Sequence, residues 1–416
     1  MKKPRPALLM IGHTYATAFS RRKLNPLADD FDITCVTWPL EGFTLFGLPL
    51  ADFEQADHEP RYELLRLPVL PQNGSITRYV HQGLARLLRE RSFDVILVDS
   101  EPWSFIRWQA CVLARIIQPQ ALFGEFTWEN IERPGLKGKM LAMIYPLATR
   151  THDFSIAGNQ ACRALLLRYG ADAGTNLVAA QLGVESSDFR PADGEEKTRL
   201  RARLGLPTGG FLIGFCGRFT PAKGIRELLA AVSNVIDHFP QQEIHLALLG
   251  HGEMNAELAA LAATCPWLHL LAPRPHRGVA EFMRCLDLFV LPSKPVHSGP
   301  DVWEEQFGHV LIEAMAARVP TLGSSSGAIP EVIAMPEAIF THSDSVALTQ
   351  MIERWMRDDS ARDRLAAEQY QRTMKNYTHE ALARTWSTFL LQRLEQQRAH
   401  HPQRESRAGG EAARGG

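Results

Sequence analysis

The sequence predicts an α/β protein with two doubly wound domains, each a parallel sheet with helices on both faces. The length of 416 residues favours two domains. Apolar strand candidates alternate with helical stretches in both halves of the chain, which indicates parallel pairing. A polar, turn-rich stretch, 183–198, separates the halves. The composition, 45% apolar and 22% charged, is typical of a soluble globular protein.

The first half, 1–190, is expected to form one domain. Its strand candidates are 7–11, 32–37, 62–67, 94–99, 121–124, 154–157 and 176–180. Its helices are expected over about 16–29, 75–90, 102–117, 137–150 and 159–169. Ligands of doubly wound sheets bind beyond the carboxyl ends of the strands. Polar residues just after the strands of the first domain are therefore candidates for contact with a ligand.

Three polar segments follow strands at this edge: Gly12-His13-Thr14, Ser100-Glu101 and Thr127-Trp128-Glu129-Asn130. For His13 and Glu129, the residues alone leave two interpretations open. Each side chain could contact a substrate, or it could cap or tie down its own loop.

The second half repeats the alternation, and we expect a second domain over 191–377. Its strand candidates are 211–216, 244–249, 268–271, 286–291, 319–322 and 338–340. A terminal helix is expected over 378–398, with Thr378 as its N-cap. The tail, 399–416, is rich in Arg, Gly and Glu without apolar periodicity, and we expect it to be disordered.

The charge, the cysteine content and two short segments of the chain give no indication of nucleic-acid binding, membrane insertion or a metal site. The net charge of -1 gives no general attraction to nucleic acid. The six cysteines show no metal-binding spacing, which suggests reduced thiols in a cytoplasmic protein. The apolar start, Ala7–Ile11, is too short for a leader or a membrane span. The acidic run Asp29–Asp32 is interpreted as a solvated turn, so no metal site is expected.

Two cations follow the first strand of the second half. Thr220 and Pro221 suit the start of a helix, which would place Lys223 in its first turn, with Arg218 just before it. Cations are unfavourable at the positive end of a helix dipole. An anion such as a diphosphate would neutralise them, and Gly217 and Gly224 would let it approach the backbone. The alternative is two solvated cations.

A second motif has two carboxylates, Glu305 and Glu313, with seven residues between them. Glu305 is expected in a loop, and the backbone at 307–309 is expected to open a helix that carries Glu313 in its second turn. The first amides of a helix lack internal partners and bind phosphates. Glu305 and Glu313 could then accept hydrogen bonds from ligand hydroxyls on either side of such a phosphate. The alternative is an ordinary surface helix with solvated glutamates.

These segments together resemble a large family of retaining glycosyltransferases. The segments that carry the resemblance are Gly217-Arg218, Lys223-Gly224, Glu305-Gln306-Phe307-Gly308-His309-Val310-Leu311-Ile312-Glu313 and Ser325-Ser326-Gly327-Ala328-Ile329-Pro330-Glu331-Val332. The family, glycosyl transferases group 1, has the GT-B fold and includes sucrose synthases, bacterial glycogen synthases and mannosyltransferases. The resemblance therefore implies two Rossmann-like domains that face a central cleft.

The resemblance also implies roles for the residues. The donor would be a UDP- or GDP-sugar as co-substrate, without a metal or other cofactor. Arg218, Lys223 and Glu305 would act in catalysis, and Glu313 would bind the ribose. The full donor-binding set would be Gly217, Arg218, Lys223, Glu305, Phe307, Gly308, His309, Val310 and Glu313. Gly12, His13 and Glu129 would lie on the acceptor side.

Two alternatives remain open at this point: a nucleotide-sugar 2-epimerase of related fold, and a non-catalytic partner subunit that only binds the donor. The acceptor is expected to be a glycan or a lipid-linked glycan precursor. The apolar loop 38–50 could bind a lipid-linked acceptor or rest on the inner face of a membrane, helped by Arg21, Arg22 and Lys23, or it could fold onto its own domain.

Overall fold

The computed structural model describes residues 4–45, 48–49, 60–72, 75–298 and 301–400. Two parallel sheets organise them, one of seven strands and one of six. Helices cover both faces of each sheet, so the prediction of two doubly wound domains is confirmed. Of the predicted disordered tail, 399–416, the first two residues are the end of the last helix, so the prediction is wrong for them, and 401–416 lie outside the described residues.

The first sheet has the strand order β11-β10-β9-β8-β1-β2-β5, and its pairs are parallel. The strands of this half are β1 Ala7–Ile11, β2 Asp32–Thr37, β3 Thr44–Leu45, β4 Leu48–Pro49, β5 Glu63–Arg66, β6 Val69–Leu70, β7 Val80–His81, β8 Val95–Asp99, β9 Leu122–Thr127, β10 Phe154–Ala157 and β11 Asn176–Val178. The helices are α1 Ala18–Arg21, α2 Leu24–Leu27, α3 Leu84–Glu90, α4 Phe105–Ile117, α5 Gly135–Thr151 and α6 Gln160–Arg168.

The second sheet has the order β14-β13-β12-β15-β18-β19 and is also parallel. Its half begins with α7 Gly194–Leu204, β12 Phe211–Arg218, α8 Ile225–His238, β13 Ile244–His251, α9 Asn255–Ala262, β14 Leu268–Leu271, α10 His276–Arg284 and β15 Leu288–Leu291. It continues with β16 Val296–Ser298, β17 Asp301–Trp303, α11 His309–Ala316, β18 Thr321–Ser324, α12 Ile329–Ile333, β19 Ile339–Phe340, α13 Ser345–Arg357, α14 Asp359–Asn376 and α15 His379–His400.

Two of the predicted helices are wrong in extent. The stretch 16–29 forms the short helices α1 and α2, and Pro26 cannot donate the hydrogen bond that would continue a helix. In the stretch 75–90, only α3 is helical, because Val80 and His81 pair with β6 and Gly83 takes a left-handed conformation, with φ of 85°, before the helix starts.

The last helix, α15, packs on the first domain. Trp386 is completely buried and stacks on Phe126 of β9, with 5.7 Å between the ring centroids. Its Nε1 donates to the carbonyl of Ala180 at 3.2 Å. The Nζ of Lys23, also buried, lies 3.3 Å from the centre of the indole ring. Helix α15 therefore contributes to the core of the first domain.

The chain passes between the domains at two adjacent points. The amide of Val184 donates to the carbonyl of Tyr377 at 2.8 Å. Gly183 lies so close to the second crossing that a Cβ there would be 2.6 Å from the amide nitrogen of His379. The core of the second sheet already includes Val184 and Phe189, so the boundary at 190 stays a prediction.

The predicted contribution of Arg21 and Lys23 to a membrane-binding surface is wrong, because both side chains are buried. Trp38 and Phe43 also pack into the first domain, with 4.5 Å between their ring centroids. Much of the loop 38–50 beyond Leu45 lies outside the described residues. In the described part, the loop folds its aromatic residues onto its own domain.

The six cysteines are free thiols, and only Cys265 is partly exposed. Among the described residues, no helix is long and apolar enough to cross a bilayer. The same part of the chain contains no group of three or more His, Cys, Asp or Glu side chains arranged to hold a metal ion.

Candidate active site

The loop that carries Glu305 joins β17 to α11 at the carboxyl edge of the second sheet. Gly308 precedes α11 with φ of 73°, a left-handed conformation that favours glycine. A Cβ at Gly308 would also lie 2.8 Å from Leu291 Cδ2. The amides of His309 and Val310 open the helix and have no intrahelical acceptor. The backbone at 307–310 therefore presents donors at the positive end of a helix.

Glu305 is held by two groups of its own domain. Its Oε2 accepts hydrogen bonds from Lys223 Nζ at 2.6 Å and from Ser293 Oγ at 2.7 Å. Only 7% of Glu305 is exposed. The Lys223 ammonium also lies 4.7 Å from the centre of the Trp303 ring. The sequence assigned Lys223 and Glu305 to different parts of the donor, and the structure joins them in one buried ion pair.

The placement of Lys223 in the first turn of a helix is wrong. Pro221–Lys223 forms a separate 3₁₀ turn, and α8 begins only at Ile225. Gly224 lies between them with φ of 66°, and a Cβ there would be 1.9 Å from the carbonyl oxygen of Pro292. Because a side chain at position 224 would collide with this carbonyl, the turn ends at a glycine. The ammonium of Lys223 does not strain α8, because Glu305 neutralises it.

Arg218 is the last residue of β12, at the same edge of the sheet. Its side chain is exposed and forms no hydrogen bond or ion pair with the residues that the structure describes. Gly217, just before it, has φ of 156°, and the backbone of Gly250 lies directly against the Gly217 carbonyl. The guanidinium is therefore free to bind an anion in front of the sheet.

Glu313 has a different environment from that of Glu305. Its Oε1 accepts from His276 Nε2 at 2.9 Å and from His309 Nδ1 at 3.1 Å, and the residue is 4% exposed. Burial alone would raise the pKa of Glu313, but the hydrogen bonds and charges of the two histidines outweigh it and lower the pKa to about 2. Glu313 is therefore an ionised acceptor at neutral pH.

The sequence analysis missed His276, which lies at the start of α10, just beyond the end of β14. The Phe19 ring of the first domain packs on its imidazole, with 4.0 Å between centroids. His309, which was predicted, also reaches across, since its Nε2 lies 3.0 Å from the carbonyl of Gly183. A search for polar residues beyond every strand end, as applied to the first half, would have found His276.

The first domain contacts the motif loop directly. Gln306 Nε2 donates to the carbonyl of Trp128 at 2.9 Å, and Asn159 Nδ2 donates to the carbonyl of Gln306 at 2.7 Å. The rings of Trp128 and Phe307 lie 5.8 Å apart. The 127–130 loop therefore faces the motif loop across the cleft.

The residues predicted for the acceptor side lie at the carboxyl edge of the first sheet. Gly12 has an extended backbone, and a Cβ there would lie 2.9 Å from Asp99 Cβ. The His13 ring lies 5.6 Å from Trp38 and 6.5 Å from Tyr79. Burial lowers the pKa of His13 to about 4, so its imidazole is neutral at pH 7.

Glu129 belongs to a pair of carboxyl groups. Its Oε1 pairs with Arg133 Nε at 3.1 Å, and its Oε2 accepts from Trp103 Nε1 at 3.3 Å. Its amide donates to Oε2 of Glu101 at 3.0 Å, and the Thr127 hydroxyl donates to the same oxygen. Burial, and then the nearby charge of Glu129, raises the pKa of Glu101 to about 8. Glu101, which was noted only as a strand-end residue, is thus protonated at neutral pH.

Comparison with known proteins shows which proteins the second half of the chain resembles. Residues 196–372 match the family described as glycosyl transferases group 1. D-inositol 3-phosphate glycosyltransferase from Corynebacterium kroppenstedtii is 29% identical over 177 residues, which cover 41% of this chain and 37% of that protein. Phosphatidyl-myo-inositol mannosyltransferase from Mycobacterium leprae is 27% identical over 308 residues, 72% of this chain and 75% of that protein. This chain thus aligns with well under half of the first relative.

Solved structures show the same architecture. Sucrose-phosphate synthase from Thermosynechococcus elongatus aligns with a TM-score of 0.67 at 18% identity, over 93% of this chain and 99% of that one. HepE from Anabaena, in complex with UDP and glucose, aligns with a TM-score of 0.66 at 16% identity, over 93% and 100% of the chains. Together with the two parallel sheets, these likenesses show that the chain has the GT-B fold, and its second half carries the match to the glycosyl transferases group 1.

Proposed function

We propose that this protein transfers a sugar from a nucleotide-sugar donor, a UDP- or GDP-sugar, to a hydroxyl group of an acceptor, with retention of anomeric configuration. The observation that carries the proposal is the Lys223–Glu305 ion pair, which lies at the same carboxyl edge of the second sheet as the exposed Arg218. Support also comes from the match of residues 196–372 to the glycosyl transferases group 1 and from the likeness to the HepE structure, which holds UDP and glucose.

The donor would lie across the motif loop. Arg218, Lys223 and the amides at 307–310 would bind the diphosphate, with Gly217 and Gly308 allowing close approach. Glu305 would accept hydrogen bonds from hydroxyls of the sugar. Glu313 would accept from the ribose, and its ionised state suits that role. Because Oε1 of Glu313 already accepts from two histidines, the ribose would use the remaining carboxylate oxygen.

The proposed catalysis consists of stabilising negative charge on the leaving group. When the bond between the anomeric carbon and the phosphate oxygen breaks, negative charge develops on the leaving diphosphate. Cations fixed before the reaction stabilise that charge more in the transition state than in the ground state. Glu305 holds Lys223 in position by a direct ion pair. Arg218 and Lys223 would supply the positive charge, so we propose that transfer needs no metal ion. Retention rests on the family resemblance.

The acceptor would bind on the first domain, near His13 and Glu129, and we propose a glycan or a lipid-linked glycan precursor. The relatives named above act on D-inositol 3-phosphate and phosphatidyl-myo-inositol. The alignment with the mannosyltransferase is longer than the second half of this chain and so reaches the acceptor side. Inositol phosphates therefore belong among the acceptors to be tested.

A donor-turnover assay tests the proposal. UDP-glucose, UDP-N-acetylglucosamine and GDP-mannose would be incubated with and without candidate acceptors. Sugar transfer that requires an acceptor supports the proposal. Epimerised donor without acceptor would point to the 2-epimerase. Donor binding by thermal shift without turnover would point to a binding subunit.

Substitution of Arg218 by Ala should lower kcat/KM about 10²–10³-fold, the usual cost of removing one fixed charge stabiliser. The melting temperature should not change, because the side chain is exposed and unpaired within the described structure. Arg226→Ala, which removes an exposed cation paired with Glu257, is the control and should leave kcat/KM unchanged. Near-normal turnover by Arg218→Ala would remove this residue from the mechanism.

The two glutamates of the motif should respond differently to substitution by Gln. Glu313→Gln should weaken binding of both UDP and the UDP-sugar, because the ribose contact is the same in both. Glu305→Gln should spare the UDP affinity and lower kcat, since the sugar contact strengthens as the bond breaks. Isothermal titration and steady-state kinetics would separate these effects.

Glu304→Gln is the matched control for this experiment. Glu304 is partly exposed and lies 3.9 Å from His297, outside the motif. Glu304→Gln should change neither the UDP affinity nor kcat. Equal loss of UDP affinity in Glu305→Gln and Glu313→Gln would show that the sugar and ribose assignments are wrong.

The Glu101–Glu129 pair should make stability depend on pH. Because the folded-state pKa of Glu101 is about 8, above its ordinary value, its stabilising effect is complete below about pH 4.5 and is lost as the pH rises to 8. Glu101→Gln keeps an acceptor for the Thr127 hydroxyl but cannot ionise. Its free energy of unfolding should therefore fall less between pH 5 and 8 than that of the wild type.

Urea unfolding at several pH values measures this difference. Glu132→Gln, which removes an exposed carboxylate that pairs with Arg168, is the control and should keep the wild-type pH slope. The same slope in Glu101→Gln and the wild type would mean that Glu101 is ionised in the folded protein at neutral pH.

A further inference from the structure

Exposed large apolar side chains are concentrated in one segment of the chain, in the first domain. Among the described residues, nine of the ten such side chains lie between 70 and 147, and the tenth is Val346. The nine are Leu70, Ile76, Phe105, Val112, Ile116, Leu136, Met140, Met143 and Leu147. Soluble proteins rarely expose contiguous apolar patches of large side chains without a partner.

Helix α5 carries the most regular part of this surface. Leu136, Met140, Met143 and Leu147 are between 54% and 76% exposed. With 3.6 residues per turn, their spacing places them within a sector of about 60° around the helix. The residues that α5 buries, among them Leu141 and Tyr145, lie on the opposite side. The apolar stripe therefore points away from the body of the domain.

The charges on this helix have one sign. Helix α5 contains three cations, Lys137, Lys139 and Arg150, and no acidic residue. Lys137 and Lys139 are exposed and flank the stripe on its two sides, and the exposed Arg150 lies near its far end. The whole chain has a net charge of only -1, so this excess of cations is local. The stripe complements an anionic surface.

The neighbouring helix α4 also exposes apolar side chains. Phe105, Val112 and Ile116 are exposed at helical spacing, and α4 also has no acidic residue. The helices are tied together by Arg107, which donates to the carbonyl of Ala148 at 2.7 Å, and by Arg115, which donates to that of Thr151 at 2.9 Å. Two adjacent helices therefore expose apolar side chains without any exposed acid on either of them.

We propose that α5, together with α4, binds the surface of a lipid bilayer that contains anionic lipids. An outward apolar stripe flanked by lysines and lacking acids is the pattern of a helix that lies in a membrane interface. A second copy of the chain fits this surface less well, because two such helices would bring six cations together without an acidic residue on either helix. The proposal concerns binding alone and goes beyond the proposed function.

This orientation would place the bilayer beside the proposed acceptor side. Arg133, which holds the Glu129 carboxylate, lies two residues before α5, and the Nζ of Lys137 lies 5.9 Å from the centre of the Trp103 ring. The same Trp103 donates to Glu129. A hydroxyl of a lipid-linked acceptor could thus approach Glu129 without leaving the membrane surface.

Cosedimentation with vesicles tests this proposal. The full chain should bind phosphatidylcholine vesicles that contain phosphatidylglycerol, and binding should weaken as salt is raised. The double variant Met140→Glu/Met143→Glu should bind at least about tenfold more weakly. Val346→Glu, an equally exposed apolar position on the second domain, should bind like the wild type. Since these side chains are exposed, the melting temperatures should not change.

Lys137→Glu/Lys139→Glu tests the charge separately and should also lower binding about tenfold, selectively for the anionic vesicles. Failure of the wild type to sediment with these vesicles would overturn the proposal, and so would wild-type binding by the double methionine variant. A wild-type dimer in sedimentation equilibrium that Met140→Glu/Met143→Glu dissociates would assign the stripe to self-association and would also overturn it.

Discussion

The buried ion pair between Lys223 and Glu305 determines how the second domain presents its carboxyl edge. Lys223 comes from the turn after β12, and Ser293, which also binds Glu305, comes from the end of β15. The main-chain carbonyl of Glu305 accepts from the amide of Ala328. The pair therefore ties three loops of the sheet together. Loss of one partner of such a buried pair typically costs about 3–5 kcal/mol, because the other charge remains buried.

The same loop also forms hydrogen bonds with the first domain. Gln306, adjacent to Glu305, hydrogen-bonds to Trp128 and Asn159 of the first domain. His309 links the start of α11 to Gly183, where the chain crosses between the domains. A ligand that displaced Lys223 from Glu305 would therefore act on a loop that both domains hold. Through this connection, binding of the proposed donor would change the position of the first domain.

Most of the fold could be predicted from the sequence, because apolar strands and amphipathic helices carry local patterns. The positions of Glu305 and Glu313 followed from the helix-forming run after Gly308. The features that could not be predicted depend on contacts between residues that are far apart in the chain. Gly224 ends a turn because the Pro292 carbonyl lies against it, and Lys23 is buried because Trp386 covers it. The partnership of His276 with Glu313 likewise joins residues that are far apart in the chain. The exposed stripe of α5 is similar: the sequence shows apolar residues on two sides of the helix, and only the packing decides which side faces outward.

A crystal structure of the protein with UDP-glucose tests the central claim most directly. The account predicts the diphosphate between Arg218, Lys223 and the amides at 307–310, with the Lys223 ammonium on a phosphate oxygen. The distance from Lys223 Nζ to Glu305 Oε2, which is 2.6 Å in the free protein, should increase, and Glu305 should accept from a sugar hydroxyl. A bound nucleotide that leaves the Lys223–Glu305 pair intact, or that binds away from this edge of the second sheet, would contradict the account.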